Sequence, residues 1–338
     1  MRVLALVHRH LIPPDVVEEG TDITAAPWRT EYDVITTLKT MGHDVQALGV
    51  HDDLGDIRRA ATEWKPHIAF NLLEAFDDIT IFDQNVVSHL ELLKLSYTGC
   101  NPRGLVLARD KSLSKKLLAF HRVPVPDFEV FRAGRPIRRP KRLLFPLIVK
   151  SLTQEASIGI SQASVVENDE KLRERVTFIH ESIGTAAIVE QYIEGRELYV
   201  GILGNQALQV LPVWELFFTN MPDDVKRIAT ERVKWNPKYQ KKYGIDSGPV
   251  KDLADSECEK IQHLCKRAYR ALELSGYARI DLRLDESGRV WVLEANPNPQ
   301  IARGEDFAAS AEKIGLSYDA VLQRIINLGL RWQPESVA

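Results

Sequence analysis

The sequence predicts an α/β protein whose first lobe is a doubly wound parallel sheet, and two observations carry that reading. Over residues 1–105, short apolar runs alternate with segments of helical period: VLALV, TEYDVITTLKTMG, DVQALGV, GDIRRAATEWK, HIAFNL, then a helical stretch from Ile81 to Leu93. Strands separated by helices imply βαβ units and a sheet covered on both faces. From Leu147 onward, strand-like runs follow one another closely, which shifts the rest of the chain toward α+β. A chain of 338 residues with 44% apolar content exceeds what one core usually organises, so we expect two or three lobes, and place three over 1–105, 106–187 and 188–338.

Composition narrows the function. The net charge of -3 gives no basic bias toward nucleic acid or an anionic membrane surface. Cys100, Cys258 and Cys265 are an odd number with no CxxC pair, which argues against both a disulfide framework and a zinc site and for a reducing cytoplasm. The opening VLALV is too short for a signal peptide or a membrane span and reads as a buried first strand.

Between Val123 and Ile148, the segment VPVPDFEVFRAGRPIRRPKRLLFP is rich in proline and arginine and marks a linker or lobe boundary, with RRPKR as a solvated turn. PLIVKS and GISQASVV then predict an antiparallel pair with a tight loop. A helix is expected from Asn168 to Ser182, followed by strands AAIVEQYI, RELYVGILGN and ALQVLPVWEL. The polar stretch from Phe218 to Lys251 lacks periodicity, and loops of that length tend to be functional or disordered. SECEKIQHLCKRAYRALELSG carries a helical stripe that puts Cys265 in the core.

The most informative stretch is YARIDLRLDESGRVWVLEANPNPQ, two strands joined by a turn sequence. Alternation places Arg279, Asp281 and Arg283 on one face of the first strand, and Val292, Glu294 and Asn296 on one face of the second. If the hairpin pairs around Asp285–Gly288, Asp281 and Glu294 lie near each other. Two carboxylates and an amide oxygen form a hard-ligand set suited to Mg²⁺; the alternative is that the carboxylates pair with Arg279 and Arg283. Lys150 ends an apolar strand before a loop with Ser157 and Gly159, which reads either as a phosphate cradle or as a hairpin turn with a surface lysine. IVEQYIEGREL delivers Glu190, Gln191 and Tyr192 to a strand end, where backbone groups could meet an adenine edge; Glu197 either reaches ribose hydroxyls or is a plain surface charge.

In order, DKSLSKKLL, LIVKS, EASIG, VEQYIEGRELYVGIL, YARIDLRL and VWVLEANPNP resemble the ATP-grasp superfamily, and within it the D-alanine–D-alanine ligase-like branch, over about residues 95–315. The resemblance implies a two-lobe ATP-grasp fold after the first lobe. It further implies that Lys111 and Lys150 contact ATP phosphates, that the loop with Ser157 and Gly159 closes over them, and that Glu190, Tyr192 and Ile193 form the adenine hinge beside Glu197 at the ribose. Asp281, Glu294 and Asn296 would hold two Mg²⁺ ions, with Mn²⁺ as a substitute, and Arg279 matches the arginine that steadies the acyl phosphate. Lys234 matches the lysine of a mobile capping loop, although Trp235 replaces the tyrosine usual after it.

Two segments depart from the family pattern. D-alanine-specific ligases hold the first substrate's amine with a glutamate in a glycine-rich segment; HRHLIPPDVVEEGTDITAAPWRTEYDV offers no position that aligns with it. The segment after the metal motif, NPNPQIARGEDFAASAEKIGLSY, is also different. The expected function is therefore an ATP-dependent carboxylate–amine ligase acting on a small-molecule carboxylate and an amine, an amino acid or short peptide, other than two D-alanines. Arg303 either binds a substrate carboxylate or pairs with Glu305 or Asp306, while His10 and Glu74 (with His8) line the N-terminal side of the pocket. A true D-alanine–D-alanine ligase, an ATP-grasp kinase and a non-catalytic ATP-binding module are the competing readings, and the family opens the option of a homodimer.

Overall fold

The computed structural model describes residues 1–155, 157–222 and 225–334; Ala156 of the expected phosphate loop, Asp223 and Asp224 of the polar stretch and the last four residues lie outside the described residues. The first lobe is the expected α/β unit. Strands β1 (Arg2–His8), β2 (Asp44–Val50) and β3 (Ile68–Asn71) form a parallel sheet in the order β2-β1-β3, connected by helices α1 (Arg29–Thr40) and α2 (Gly55–Glu63). Alternation in β1 sorts its side chains to two buried faces. Val3 packs with Val34 and Leu38 of α1, whereas Leu4 and Leu6 face Val86 and Leu90 of α3 (Asp83–Leu92).

Helices α4 (Pro102–Arg109) and α5 (Lys111–Phe120) lead into a small antiparallel sheet, β4-β7-β5-β6, made of β4 (Phe128–Phe131), β5 (Leu147–Ser151), β6 (Val165–Val166) and β7 (Ala187–Gln191). Two expectations are corrected here. The proline-rich segment is more than a linker, because Phe128–Phe131 pairs with β7; proline interrupts strands, but these residues lie in the proline-free run between Pro126 and Pro136. The loop from β5 to β6 spans 152–164, not a tight turn. Helix α6 (Asp169–Phe178), capped by the Asn168 side chain on Lys171 N–H, covers one face with Leu172 and Val176.

The last lobe holds a larger antiparallel sheet, β11-β10-β8-β12-β13, built from β8 (Arg196–Leu203), β10 (Trp214–Phe218), β11 (Ile245–Pro249), β12 (Tyr277–Leu284) and β13 (Val290–Pro297), with β9 (Gln209–Val210) on the end of β8. The polar stretch is not structureless: it contains α7 (Glu231–Trp235), α8 (Pro237–Tyr243) and β11, too short and too charged to show a period. Helix α9 (Asp255–Ala271) buries Cys265 against this sheet, and α10 (Asp306–Glu312) and α11 (Tyr318–Arg331) close the fold over β1 and β3 through Phe307 and Ile325. One continuous core therefore joins Leu4 and Leu6 of the first lobe to Val200, Ile280 and Val292 of the last.

The β12–β13 hairpin carries a bulge that decides which side chains reach the cleft. Leu284 pairs with Val290 and Leu282 with Val292, but Asp281 pairs with Glu294 and Arg279 with Asn296. Leu293 is the extra residue, and it reverses the facing of everything after it. Val292 thus belongs to the core with Leu282, while Glu294 and Asn296 join Arg279 and Asp281 on the other face. The expectation that Val292 shares a face with Glu294 fails for this reason. The pairing of Asp281 with Glu294 holds because of it.

Candidate active site

The two sheets enclose a cleft lined by Lys111, Lys150, Glu190, Tyr192, Asp281 and Glu294, among others. Ser157, Ile193, Glu197 and Lys234 line it as well, so ten of the residues singled out from the sequence meet in one place. Gly159 lies just beyond, its carbonyl accepting from Arg175. Arg279 and Asn296 sit one register step further along the same face as Asp281 and Glu294.

The basic end is built on α5 and β5. Asp110 caps α5, accepting the N–H groups of Ser112 and Leu113, and the helix presents Lys111 and Lys115 one turn apart. Lys111 Nζ donates to the Gln154 carbonyl at 2.7 Å and stands 3.8 Å from Glu294 Oε2. Lys115, fully buried and not singled out from the sequence, donates to the Leu293 carbonyl at 2.7 Å and so fastens the bulge. Glu190 is 1% exposed and lies between two ammonium groups, Lys150 at 3.1 Å and Lys115 at 3.4 Å. Burial works to neutralise all three. The two lysines nonetheless hold Glu190 below its ordinary range, and Glu190 with Glu294 and Glu197 holds Lys150 above its own. Lys115, where burial prevails, lies below the ordinary lysine range.

At the acidic end, Arg279 forks onto Asp281, Nε to Oδ1 at 2.7 Å and an η nitrogen to Oδ2 at 2.9 Å, with its guanidinium 4.6 Å from the ring centre of Tyr199. The salt-bridge alternative is therefore realised for Asp281 but not for Glu294, which faces lysines. Burial, then the neighbouring Glu294 charge, raises Asp281 against the pull of Arg279. Glu294 moves the opposite way: burial opposes its charge, but Lys111, Lys150, Lys234 and Arg279 lower it to about 2. Arg283 is committed elsewhere, donating to Glu197 Oε2 at 2.8 Å and to the Gly195 carbonyl at 2.7 Å. Gly195 itself, φ 145°, lies against the end of β12, where a Cβ would stand 2.1 Å from the Leu284 carbonyl. Tyr199 Oη donates to the other oxygen of Glu197 at 3.0 Å.

The hinge region presents an apolar wall of Ile148, Tyr192 and Ile228 with Ile160, of which only Tyr192 was picked out from the sequence. Tyr192 N–H donates to the Pro146 carbonyl at 3.1 Å. The loop after β5 is fastened to the polar stretch: Ser157 Oγ donates to the Ala229 carbonyl at 2.7 Å, and Gln162 exchanges hydrogen bonds with Lys226. Its base is tied inward by Arg109, which donates to Asp83 on α3 and to Glu155. Of the two asparagines in NPNP, Asn298 has a structural duty, accepting Cys100 N–H at 2.8 Å. Gly99 at φ 96° makes room for it, since a Cβ there would lie 2.4 Å from Asn298 Oδ1. Asn296 keeps a buried amide nitrogen with no partner among the described residues.

The remaining candidates lie toward the first lobe. Glu74, exposed, follows β3, and His10, exposed, follows β1. Arg303 is exposed at the seam of α1 and α11, donating to Thr37 Oγ1 at 2.8 Å, lying 3.5 Å from Asp319 and stacking 4.3 Å from the Tyr318 ring centre. Neither Glu305 nor Asp306 is its partner; Glu305 takes Arg29 at 2.7 Å. Glu31 is the carboxylate that sequence reading missed. It sits in the first turn of α1, inside the segment where no family glutamate could be aligned, 4% exposed, with Oε2 unpartnered. Burial, reinforced by the charge of Glu74 and offset by its own backbone N–H, raises it to about 7. Its only sequence signal was a helix-starting acid in TEYDV, indistinguishable from a dipole-compensating surface glutamate.

A cleft between two antiparallel sheets, basic on one wall and doubly acidic on the other, defines an ATP-grasp protein. A structure titled as the D-alanine–D-alanine ligase of Bacillus anthracis complexed with ATP superposes with a TM-score of 0.76, at 20% identity and covering 98% of each chain. Residues 117–327 match the family model described as D-ala D-ala ligase C-terminus, and the chain belongs to that family. It is 30% identical to the D-alanine–D-alanine ligase of Desulforudis audaxviator over 87% of this chain and 90% of that one. It is 29% identical to the uncharacterized protein y4sG of Sinorhizobium fredii strain NBRC 101917 / NGR234, over 90% and 89% of the two chains.

Proposed function

We propose that the protein is an ATP-dependent carboxylate–amine ligase that releases ADP and phosphate. The observation that carries this reading is the facing pair Asp281 and Glu294, one raised and one lowered, set among Lys111, Lys150, Lys234 and Arg279. The donor set fits Mg²⁺: two carboxylates on one face, with the amide side chain of Asn296 on the same face beside them. When bound, Mg²⁺ supplies charge neutralisation between phosphate oxygens during phosphoryl transfer. Lys111 and Lys150 bind phosphate oxygens, and Glu190 keeps Lys150 charged. Ile148, Tyr192 and Ile228 stack on the purine, with Ile193 offering the backbone donor now that the Tyr192 N–H is spent on Pro146. Glu197, fixed by Arg283 and Tyr199, meets the ribose. Lys234 reaches the terminal phosphate, Ser157 and Gly159 hold the loop over it, and Arg279 steadies the acyl phosphate on which the amine then acts. Such a site works by positioning and charge, with water excluded between the two sheets.

On the substrate side, Glu31 with Glu74 offers the anionic counterpart an ammonium group needs, since a buried unpartnered carboxylate is costly until something cationic meets it. The names of the curated relatives make D-alanine the first compound to try in both positions. A different substrate pair is favoured by residues 9–28 between β1 and α1, a long connection bearing His10 close to His8 and His51. The test is ADP release from Mg·ATP with D-alanine alone, then with pooled carboxylates and amines, beside Glu294→Gln. Release that needs a carboxylate, rises with an amine and vanishes in the variant supports the ligase; absence of Mg·ATP binding by titration overturns it.

A further inference from the structure

Away from the phosphate-binding residues, histidines and an aspartate converge at the carboxyl edge of the first sheet, where parallel α/β sheets gather ligands. His8 ends β1, His51 follows β2, and Asp78 lies on the turn after β3. That turn is built to deliver it. Phe76 and Ile79 pair across it, Asp77 and Asp78 take φ of 53° and 56°, as the centre of a type I′ turn requires, and Asp77 N–H donates to the His51 carbonyl at 2.7 Å. His8 Nε2 then stands 3.4 Å from Asp78 Oδ1, and His51 Nε2 3.2 Å from Oδ2.

We propose that His8, His51 and Asp78 bind a divalent transition metal, zinc by geometry, with His10 as the fourth ligand. One ligand atom from each of the three lies within 4.8 Å of the others. A tetrahedral zinc with ligands at 2.0–2.1 Å separates them by about 3.4 Å; each histidine stands at about that distance from one oxygen of the Asp78 carboxylate, which would turn to present a single oxygen to the ion. Three imidazoles on one such ion would place their ring centres about 5 Å apart; those of His8, His10 and His51 are 5.4, 5.5 and 6.2 Å apart. His10 is exposed and free to swing inward. Asp52 Oδ1, which accepts from Arg9 and lies 3.5 Å from His51 Nδ1, is near enough to become the outer carboxylate that orients a metal-bound imidazole. His10 N–H lies a long 3.4 Å from His8 Nδ1, the contact that gives way when Nε2 takes the metal and Nδ1 carries the proton. Imidazole nitrogen sets this site apart from the all-oxygen set at Asp281 and Glu294, which suits Mg²⁺. The metal would fasten a turn whose neighbour Thr80 stands 3.4 Å from Gln154, the residue that accepts Lys111, and so stiffen the wall of the nucleotide site.

The test uses the full chain, stripped by chelator and held in saturating Mg²⁺ so that oxygen sites are filled. Zinc is titrated calorimetrically, and Co²⁺ is added as a spectroscopic probe of coordination. The expected result is one zinc per chain, intense visible Co²⁺ bands of a four-coordinate site, and affinity reduced at least tenfold in His51→Gln and in Asp78→Ala. Zinc should raise the Tm of the wild type and not of those variants. The wild-type Co²⁺ spectrum reads the site even if a variant folds poorly. Faint six-coordinate bands, or equal zinc affinity in wild type and both variants, would overturn the proposal and leave Asp78 as a hydrogen-bond acceptor for two histidines.

Discussion

The two ends of the cleft solve the problem of buried charge in opposite ways. At the proposed nucleotide end buried charges stand beside opposite charges: Lys150 and Lys115 meet Glu190, Asp281 meets Arg279, Glu197 meets Arg283. Toward the first lobe, at the proposed substrate end, Glu31 is buried with one oxygen unpartnered among the described residues and a second carboxylate, Glu74, acting on it. A compensated cluster holds its shape before any ligand arrives. An uncompensated carboxylate is a standing cost that a ligand relieves, which is why the two ends should respond differently to substitution and to pH.

The comparison is broken most directly at Glu294. If the lysines hold it ionised to receive a metal, Glu294→Gln should lower ADP release by about 100-fold or more and weaken the Mg²⁺ dependence, with little loss of fold. Unchanged release with an unchanged Mg²⁺ profile would remove the acidic wall from the mechanism.

Glu190→Gln tests compensation itself. Removing one partner of a buried cluster strands the charge of the others, so the variant should lose about 3–5 kcal/mol in denaturant unfolding. A loss under 1 kcal/mol would mean the lysines find other partners. Lys115→Met should cost less stability but loosen the Leu293 bulge, and with it the facing of Glu294, so Mg²⁺ affinity should fall together with stability.

How much of this was legible follows from where each side chain sits. Lys150, Asp281 and Glu294 could be read because they end or alternate along strands, and period-2 placement is a property of the sequence; Lys111, which opens α5, came from the family resemblance alone. Lys115 was hidden in the same motif as Lys111, though its spacing of four on a helix was the available clue. The bulge at Leu293 has no sequence mark, since nothing in VWVLEA announces an extra residue; strict alternation put Val292 on the wrong side. The helices of the polar stretch and the Phe128–Phe131 strand are short and held by tertiary pairing, which local pattern does not encode. Glu31 was unreadable for a different reason: burial of a helix-starting acid is decided by what packs over it.

At the uncompensated end the pH dependence has a definite sign. Glu31 is raised to about 7 from an ordinary 4.5, so the unfolded chain gives up the proton first and ionisation costs the folded state. Stability is complete at low pH, falls between about 4.5 and 7, and stays reduced above, by roughly 3 kcal/mol. Glu31→Gln should therefore be neutral in unfolding at pH 4 or below and stabilising at pH 8, while raising the KM of the amine substrate. Equal effects at both pH values would show that Glu31 is already ionised and partnered in the wild type.

The smallest effect is expected at Arg303, and it sharpens the boundary between the two ends. Its guanidinium is half exposed, shared among Thr37, Asp319 and the Tyr318 ring, the kind of surface arrangement worth about 0.2–1 kcal/mol. Its backbone N–H, by contrast, donates to Asp33 Oδ2 at 3.0 Å, a contact that alanine retains. Arg303→Ala should accordingly leave stability within about 1 kcal/mol and test only the guanidinium. If the residue is a brace between α1 and α11, the KM of both substrates stays within about threefold of wild type. A rise of tenfold or more in the KM of one carboxylate-bearing substrate, with kcat held, would instead extend the substrate end as far as α11 and put an arginine opposite Glu31, giving a zwitterionic amino acid a cation for its carboxylate and an anion for its amine.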